Sequence, residues 1–576
     1  MDIMKHFLVI ALLLVSYIFA GENAQLDRIN SHILIEDFSS ALDDAKSSFD
    51  KYGASNKLKF KYIECLALNG EELKAIKELK NLNEDDYKNL NFDTIENISW
   101  AILNKASKST QYTTRLTTLI GVHLTQDVRA IKILNNSMKD SNAIIRSVAL
   151  QLSSSYMDKP LKEMVNNLFL NEKLWLVRLE VIKAIGKMKV FERKNELKEI
   201  IADEKATFEE KEVAMSSLVN IMEDIDFEEI KSLSNSKKAG LRKLSCDLTS
   251  YFDVKEAKDL IIKLTEDPIS DVRISALNAI SLNFLNEIKD KDLKNLLLKA
   301  VDDPSPEVCI TASYIAILKN YSFGEKKLRK YFYDQDVDNA RFAAAVLGKL
   351  SNKCLRLKKT VLNKHPDIFV KANIAIGLIG ERKLVKEATD TLFTFLKYDD
   401  KLMWENRKNP LFEVLYPSYI RHVDQMPRYP EAIDKMTRLQ LLSMLAVVED
   451  PRAIEAIKSF LKQKGWGITG FASATLLKEG DEEALNIIKE LLDEKESDVK
   501  VQAALVLALF GKDPSVISTL EKAYIDADYN MKIQILEAIG HIGSKKSIKF
   551  LINTLDEPYQ NLRVVSASSM IRCLNS

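Results

Sequence analysis

From about residue 111 to the C-terminus, apolar residues recur at i, i+3 and i+4, the spacing that lines up one side of an α-helix. The amphipathic runs come in pairs separated by short turns rich in Asp, Glu, Ser and Pro. The unit around Arg273, LTEDPISDVRISALNAISL, shows the arrangement clearly: an acidic residue six positions before a basic one, an apolar residue just before the basic one, and a small or apolar residue three after it. The same unit recurs around Arg146, Arg178, Arg242, Arg341, Lys371, Lys500, Lys532 and Arg563.

The period makes the case. Arg115, Arg146, Arg178, Lys211, Arg242 and Arg273 follow one another at 31, 32, 33, 31 and 31 residues. Cys309 takes the basic position next, after 36, followed by Arg341 and Lys371. The last stretch, Arg438, Thr469, Lys500, Lys532 and Arg563, steps by 31, 31, 32 and 31. A second column, Asp450, Asp481, Asp513 and Ser544, keeps the same period at 31, 32 and 31. Each unit predicts two helices. Asp450–Pro451 and Asp513–Pro514 combine an N-cap residue with proline at the first helical position. Gly186, Gly348, Gly377, Gly511 and Gly540 sit where the second helix would end in a glycine C-cap. A single hairpin cannot bury its apolar face, so units must stack. The predicted fold is all-α, a right-handed α-solenoid of antiparallel helix pairs.

These residues resemble the HEAT-repeat family, in particular its short bacterial form also seen in phycobilisome-lyase-type repeats, over about residues 111–576. The resemblance implies a ladder in which the acidic turn residue and the following basic residue join adjacent repeats, with Asp140, Asp267 and Asp526 near Arg146, Arg273 and Lys532. Cys309, Thr469 and the irregular Lys211 unit depart from that pattern, and the ladder is expected to break there. Near residues 30–90, Tyr62-Ile-Glu-Cys-Leu-Ala-Leu-Asn-Gly70 followed by EELKAIKELKNL weakly resembles a tetratricopeptide helix pair. A divergent N-terminal cap for the solenoid is the alternative reading of the same stretch.

The array breaks once, between Lys371 and Arg438. Pro410, Pro417, Pro427 and Pro430 fall within 21 residues there, a density that interrupts helices. Trp404, Phe412, Tyr416, Tyr419 and Tyr429 gather in the same stretch, with Arg428. Aromatic residues and arginine are enriched in binding hot spots, so these side chains are candidate partner contacts. The competing reading is an irregular linker whose aromatics fill gaps at a bend. Trp466, between two glycines at a turn, is a milder candidate. The resulting organisation is a leader at 1–20, a helical cap at 21–110, repeats at 111–394, an insertion at 395–437 and repeats at 438–576.

Composition narrows the function. Lys+Arg and Asp+Glu both number 83 and are interleaved, which argues against a basic nucleic-acid-binding stripe. Lys5 precedes an unbroken apolar run, Phe7–Ala20, whose 14 residues suit a signal peptide and fall short of a membrane span. The chain is therefore expected to be exported to the periplasm, or held at the inner membrane if the run is not cleaved. The five cysteines, Cys65, Cys246, Cys309, Cys354 and Cys573, are scattered and form no C-x-x-C pair; they are expected to be buried free thiols. No histidine cluster, nucleophile elbow or phosphate loop occurs, so no cofactor, metal or catalytic residue is assigned. The expected function is a non-enzymatic periplasmic scaffold binding other proteins in an envelope assembly, such as a secretion complex or the periplasmic part of a flagellar motor. The alternative is a lyase-type repeat enzyme acting on a bound chromophore or modified group, for which Cys309 and Cys354 are the conceivable nucleophiles.

Overall fold

The computed structural model describes residues 21–576 apart from 53–54, 84–90, 399, 407, 418–429, 462–487 and 494–496. The apolar leader therefore lies outside the described residues, as do Thr469 and Asp481. The fold is an all-α solenoid of helix pairs. Seven helices that matter below are α1 (Phe92–Ala106), α2 (Tyr112–Thr125), α3 (Ala143–Ser153), α4 (Trp175–Lys187), α5 (Phe208–Ile221), α6 (Ala239–Phe252) and α7 (Ser270–Ala279). They are followed by α8 (Pro306–Leu318), α9 (Val337–Gly348), α10 (Ile368–Gly380), α11 (Pro430–Ala446), α12 (Ser497–Gly511), α13 (Tyr529–Ile542) and α14 (Gln560–Leu574). From α2 onward these are second helices of the pairs, or stand where one would. They carry much of the core: Val308, Ile310, Ala312, Ile315 and Ala316 of α8 are fully buried. Among the described residues the one sheet is a two-stranded ribbon, β1 (Leu402–Glu405) and β2 (Val414–Pro417).

The basic column works as a ladder, in a different register from the one expected. Arg115, Arg146, Arg242, Arg273 and Arg563 donate from Nη1 to the carbonyl six residues back, Arg146 to Asp140 at 2.9 Å and Arg273 to Asp267 at 2.8 Å, whereas Arg341 Nη1 turns to the Asp338 carboxylate. The remaining donors of the column reach forward to the acidic residue of the next turn. Arg115 pairs with Asp140 at 2.8 Å, Arg242 with Asp267, Arg341 with Asp367 at 2.7 Å and Lys532 with Glu557 at 3.0 Å. The carboxylates of Asp140 and Asp267 thus serve the preceding repeat, and Lys532 takes Glu557 where Asp526 was expected. The reason is local: the carboxylate also accepts the N–H two residues on, from Asn142 or Ile269, and that turns it back toward the previous repeat. At Cys309 the thiol replaces Nη1, donating to Asp303 O at 3.0 Å, while Asp303 takes Arg273 at 2.6 Å. The ladder arrives at this repeat, and a thiol is too short to carry it onward.

Neither Gly348, the last residue of α9, nor Gly377, inside α10, is the glycine C-cap expected of it; the caps are Lys349 and Glu381. Both glycines lie in the α9–α10 contact, where a Cβ on Gly377 would stand 2.6 Å from the carbonyl carbon of Gly348. Glycine here lets two backbones touch.

The chain forms two compact units, residues 1–188 with 488–576, and residues 189–487. In the first, α2, α3 and α4 stack in sequence, and so do α12, α13 and α14. Helix α14, almost wholly buried, lies between α13 and α2 and is covered by α1. The segment Ser566-Ala567-Ser568-Ser569 keeps it slim: Ser569 Oγ donates to Leu536 O on α13 at 2.8 Å, and Ser568 faces Gly121 of α2. Thr114 Oγ1 donates to Asn561 Oδ1 at 2.8 Å, and Lys80 pairs with Asp556 at 2.6 Å. The last repeat therefore takes the place preceding α2, and the two ends of the array bury each other's apolar faces.

In the second unit α6 to α10 stack in order, and the β ribbon lies against α9, α10 and α11.

Candidate protein-interaction groove

The second helices α7 to α10 are largely apolar, yet each carries a small polar side chain that is almost completely buried and faces the insertion: Asn278, Thr311, Asn339 and Asn373. A buried amide or hydroxyl in such a place needs a partner. The chain supplies one from the insertion, whose residues 408–417 cross these helices, turning at Asn409–Phe412 and extended over Val414–Pro417.

The contacts follow the chain. Lys408 Nζ donates to Asn339 Oδ1 at 2.6 Å and lies 3.5 Å from Glu307. Asn409, fully buried, exchanges amide hydrogen bonds with Asn278 at 2.9 Å and donates to Thr311 Oγ1 at 3.0 Å. Its Oδ1 also accepts the N–H of Leu411 at 3.0 Å, turning the chain at Pro410. Phe412 enters edge-on between Tyr314 and Phe342, with ring centroids at 5.0 and 5.9 Å. Lys349 sits over its ring at 5.4 Å while donating to Leu411 O. Asn373 then holds the backbone of Leu415 at both points, accepting its N–H at 2.9 Å and donating to its C=O at 3.0 Å. Tyr416 is buried, its hydroxyl directed to Asp338 O at 3.4 Å, and burial pushes the phenol pKa up.

The other strand anchors the ribbon. β1 pairs antiparallel with β2, Leu402 facing Pro417 and Trp404 facing Leu415. Leu402 N donates to Asp434, and Trp404 Nε1 to Gln440 of α11 at 3.0 Å. Arg438 Nη1 donates to Leu396 O at 2.6 Å, so the basic column resumes at α11.

The structure brings three of the expected contact residues together. Trp404 is half-buried on α11, whereas Phe412 and Tyr416 are spent on the chain's own groove and present no free face to a partner. Burial of an aromatic ring stabilises whichever surface reaches it first, here an intramolecular one. Tyr419, Arg428, Tyr429 and Trp466 lie outside the described residues. Sequence reasoning missed the four polar residues on the receiving side. Their signal was an amide or hydroxyl within an otherwise apolar run, as in KANIAIG around Asn373.

The thiols named for lyase chemistry are not presented as nucleophiles. Cys309 is buried and its pKa is raised by burial; Cys354 is half-buried and pushed up to about 11, chiefly by burial. A thiol needs a lowered pKa to attack at neutral pH. Among the described residues no group of His, Cys, Asp and Glu is placed to hold a metal ion.

Residues 491–571 match the HEAT-repeat family. No curated protein sequence matches the chain. Among solved structures, Escherichia coli YibA is similar at 18% identity over 54% of this chain and 96% of that one, with a TM-score of 0.23. The Caenorhabditis elegans myosin chaperone UNC-45, solved with an Hsp90 peptide, aligns over 96% of this chain and 81% of its own at 13% identity, with a TM-score of 0.36. Human deoxyhypusine hydroxylase aligns over 44% and 96% at 14% identity, with a TM-score of 0.21. At these identities and TM-scores the likeness says nothing of what this chain binds.

Proposed function

We propose that this chain, whose residues 491–571 are HEAT repeats, is a non-enzymatic scaffold that holds other proteins along its second helices. The observation that carries this reading is the two-point hold of Asn373 on the backbone of Leu415. Capture of a peptide unit through its own N–H and C=O selects extended conformation, and side-chain pockets on either side supply specificity. The neighbouring helices add side-chain hydrogen bonds from Asn278, Thr311 and Asn339, which suits holding a partner and leaves chemistry aside.

Export is part of the proposal. The run Phe7–Ala20 after Lys5 supports delivery to the periplasm, with an uncleaved run as the anchored alternative. Among the described residues no helix is long and apolar enough to cross a membrane. The setting proposed is an envelope assembly such as a secretion complex or a periplasmic flagellar-motor structure.

The test has two arms. A C-terminal alkaline phosphatase fusion should be active with residues 1–20 present and inactive without them. Crosslinking in cells, followed by pull-down from the envelope fraction, should recover a stable partner with the wild type. Recovery of none would remove the scaffold reading.

A further inference from the structure

We infer that the groove across α7 to α10 is a receptor for a partly extended polypeptide, and that residues 408–417 occupy it as a built-in competitor. The inference rests on the scaffold reading and names the ligand chemistry of that site. The expected ligand is a segment of a partner protein carrying a basic residue followed by Asn, an aromatic three residues after the Asn, and an apolar residue three further on, turned at the Asn and extended from the aromatic onward.

The first argument is reach. A linker that only had to join the helix Val385–Leu396 to α11 had no need to travel back to α7. The segment turns once, where Phe412 N–H donates to Asn409 O at 3.0 Å, and is extended from Val414 to Pro417. Within these ten residues it makes a specific contact with each of the four helices α7 to α10.

The second argument is the kind of contact. Asn373 reads backbone, and Asn278, Thr311 and Asn339 each meet a polar group of the segment. If the segment leaves, Asn278, Asn339 and Asn373 each lose a hydrogen bond to it, while Thr311 keeps Glu307 O and Asn373 keeps Phe369 O; all four stay lined up, so the empty groove is matched to another peptide's polar groups. Glu307, beside Lys408, sets the preference for a cation at that end. The apolar slot between Tyr314 and Phe342 sets the preference for an aromatic ring.

The third argument is exposure. Asn406, Pro410 and Glu413 are exposed, so the first half of this strap meets solvent along its outer edge, while Val414–Pro417, the second strand of the ribbon, are buried. A tethered strap competes at a high effective concentration, which makes the groove quiet until a stronger ligand arrives.

The experiment uses the full chain and a fluorescently labelled peptide of residues 406–417, read by anisotropy. The variant Asn409→Ala/Phe412→Ala weakens the strap in place. It should bind the peptide at least tenfold more tightly than the wild type does, and adding Asn373→Ala should reverse that gain by tenfold or more. A peptide with its own Phe412→Ala change should not bind. Absence of binding by a variant with wild-type circular dichroism and melting would overturn the inference. Failure of that variant to fold would overturn it equally, because the strap would then be core. Either failure leaves a scaffold acting through another surface intact, and the envelope pull-down reports on that separately.

Discussion

Substituting Gly377 by alanine tests how the second helices stack, and Gly380 provides the internal control. Both lie in α10, three residues apart. A Cβ at Gly380 meets nothing within 4 Å, whereas one at Gly377 lies 2.6 Å from the carbonyl carbon of Gly348 and closer still to its Cα and oxygen. Ordinary carbon contacts sit at about 3.5–4.0 Å, so α9 and α10 must separate by about 1 Å. Each alanine gains up to about 1 kcal/mol in helix propensity. At Gly377 that gain is opposed by about 3 kcal/mol of overpacking against unyielding backbone, toward the upper end for buried insertions. The expected outcome is a net loss of ~2 kcal/mol for Gly377→Ala and a small gain for Gly380→Ala. Because a chain of this size need not unfold in one step, the informative assay is native-state hydrogen exchange of peptides from α9 and α10. A loss of 2 kcal/mol corresponds to roughly 30-fold faster exchange. The separation also displaces Asn373, whose carbonyl lies 2.9 Å from a Cβ built on Gly348. The strap residues 408–417 should therefore exchange faster as well. Equal effects at the two glycines, or protection by Gly377→Ala, would refute the close-approach argument.

Further outcomes follow from the ladder, the thiols, the histidines and the chain ends. Burial pushes the Asp267 carboxyl up, but its bonds from Arg242 and Ile269 N–H hold it below the usual range. Arg242→Ala strands that buried acid and should cost about 3 kcal/mol in denaturant unfolding, with Arg242→Lys recovering only part, since lysine cannot reproduce the forked contact; equal stability of all three would sink the ladder. Burial raises all five thiols, Cys65 to about 12 and Cys573 to about 11. Native protein at pH 8 should thus react with Ellman's reagent only slowly, and five thiols should appear on denaturation. His123 and His541 have pKa values lowered by burial, the latter also by Arg572. The unfolded chain takes up these protons near pH 6.5 and the folded chain only at lower pH, so their contribution is complete above about pH 6.5 and is lost as pH falls below it. Melting of the unit holding α2 and α13 should drop over that window, and less so in His541→Gln. Deleting residues 560–576 uncovers the facing sides of α13 and α2 and should give a self-associating protein by light scattering. A monomeric truncation with unchanged melting would contradict the docking of the ends.

What the sequence alone determined was whatever a helix pair decides within its own length. The 31–33-residue step, the caps at Asp513 and Ser544, and the apolar stripes are local, because capping and helical periodicity act over one to four residues. The break after Lys371 was legible too, since proline density is a local property. Tertiary structure decided where these parts went. Which basic residue Asp267 takes depended on the stacking that brings Arg242 of the preceding repeat within reach. The role of Gly377 depended on which backbone faced it, and C-capping and close approach look alike in a single sequence. The fate of Phe412 depended on Tyr314 and Phe342, about 98 and 70 positions away by number, and that of α14 on α2, at the other end of the array. Such pairings join residues of high sequence separation through shape and desolvation, and neither leaves a periodic mark in the chain. Asn373 comes nearest to an exception, because a lone amide in an apolar helix announces that it needs a partner without naming Leu415 as the one it takes.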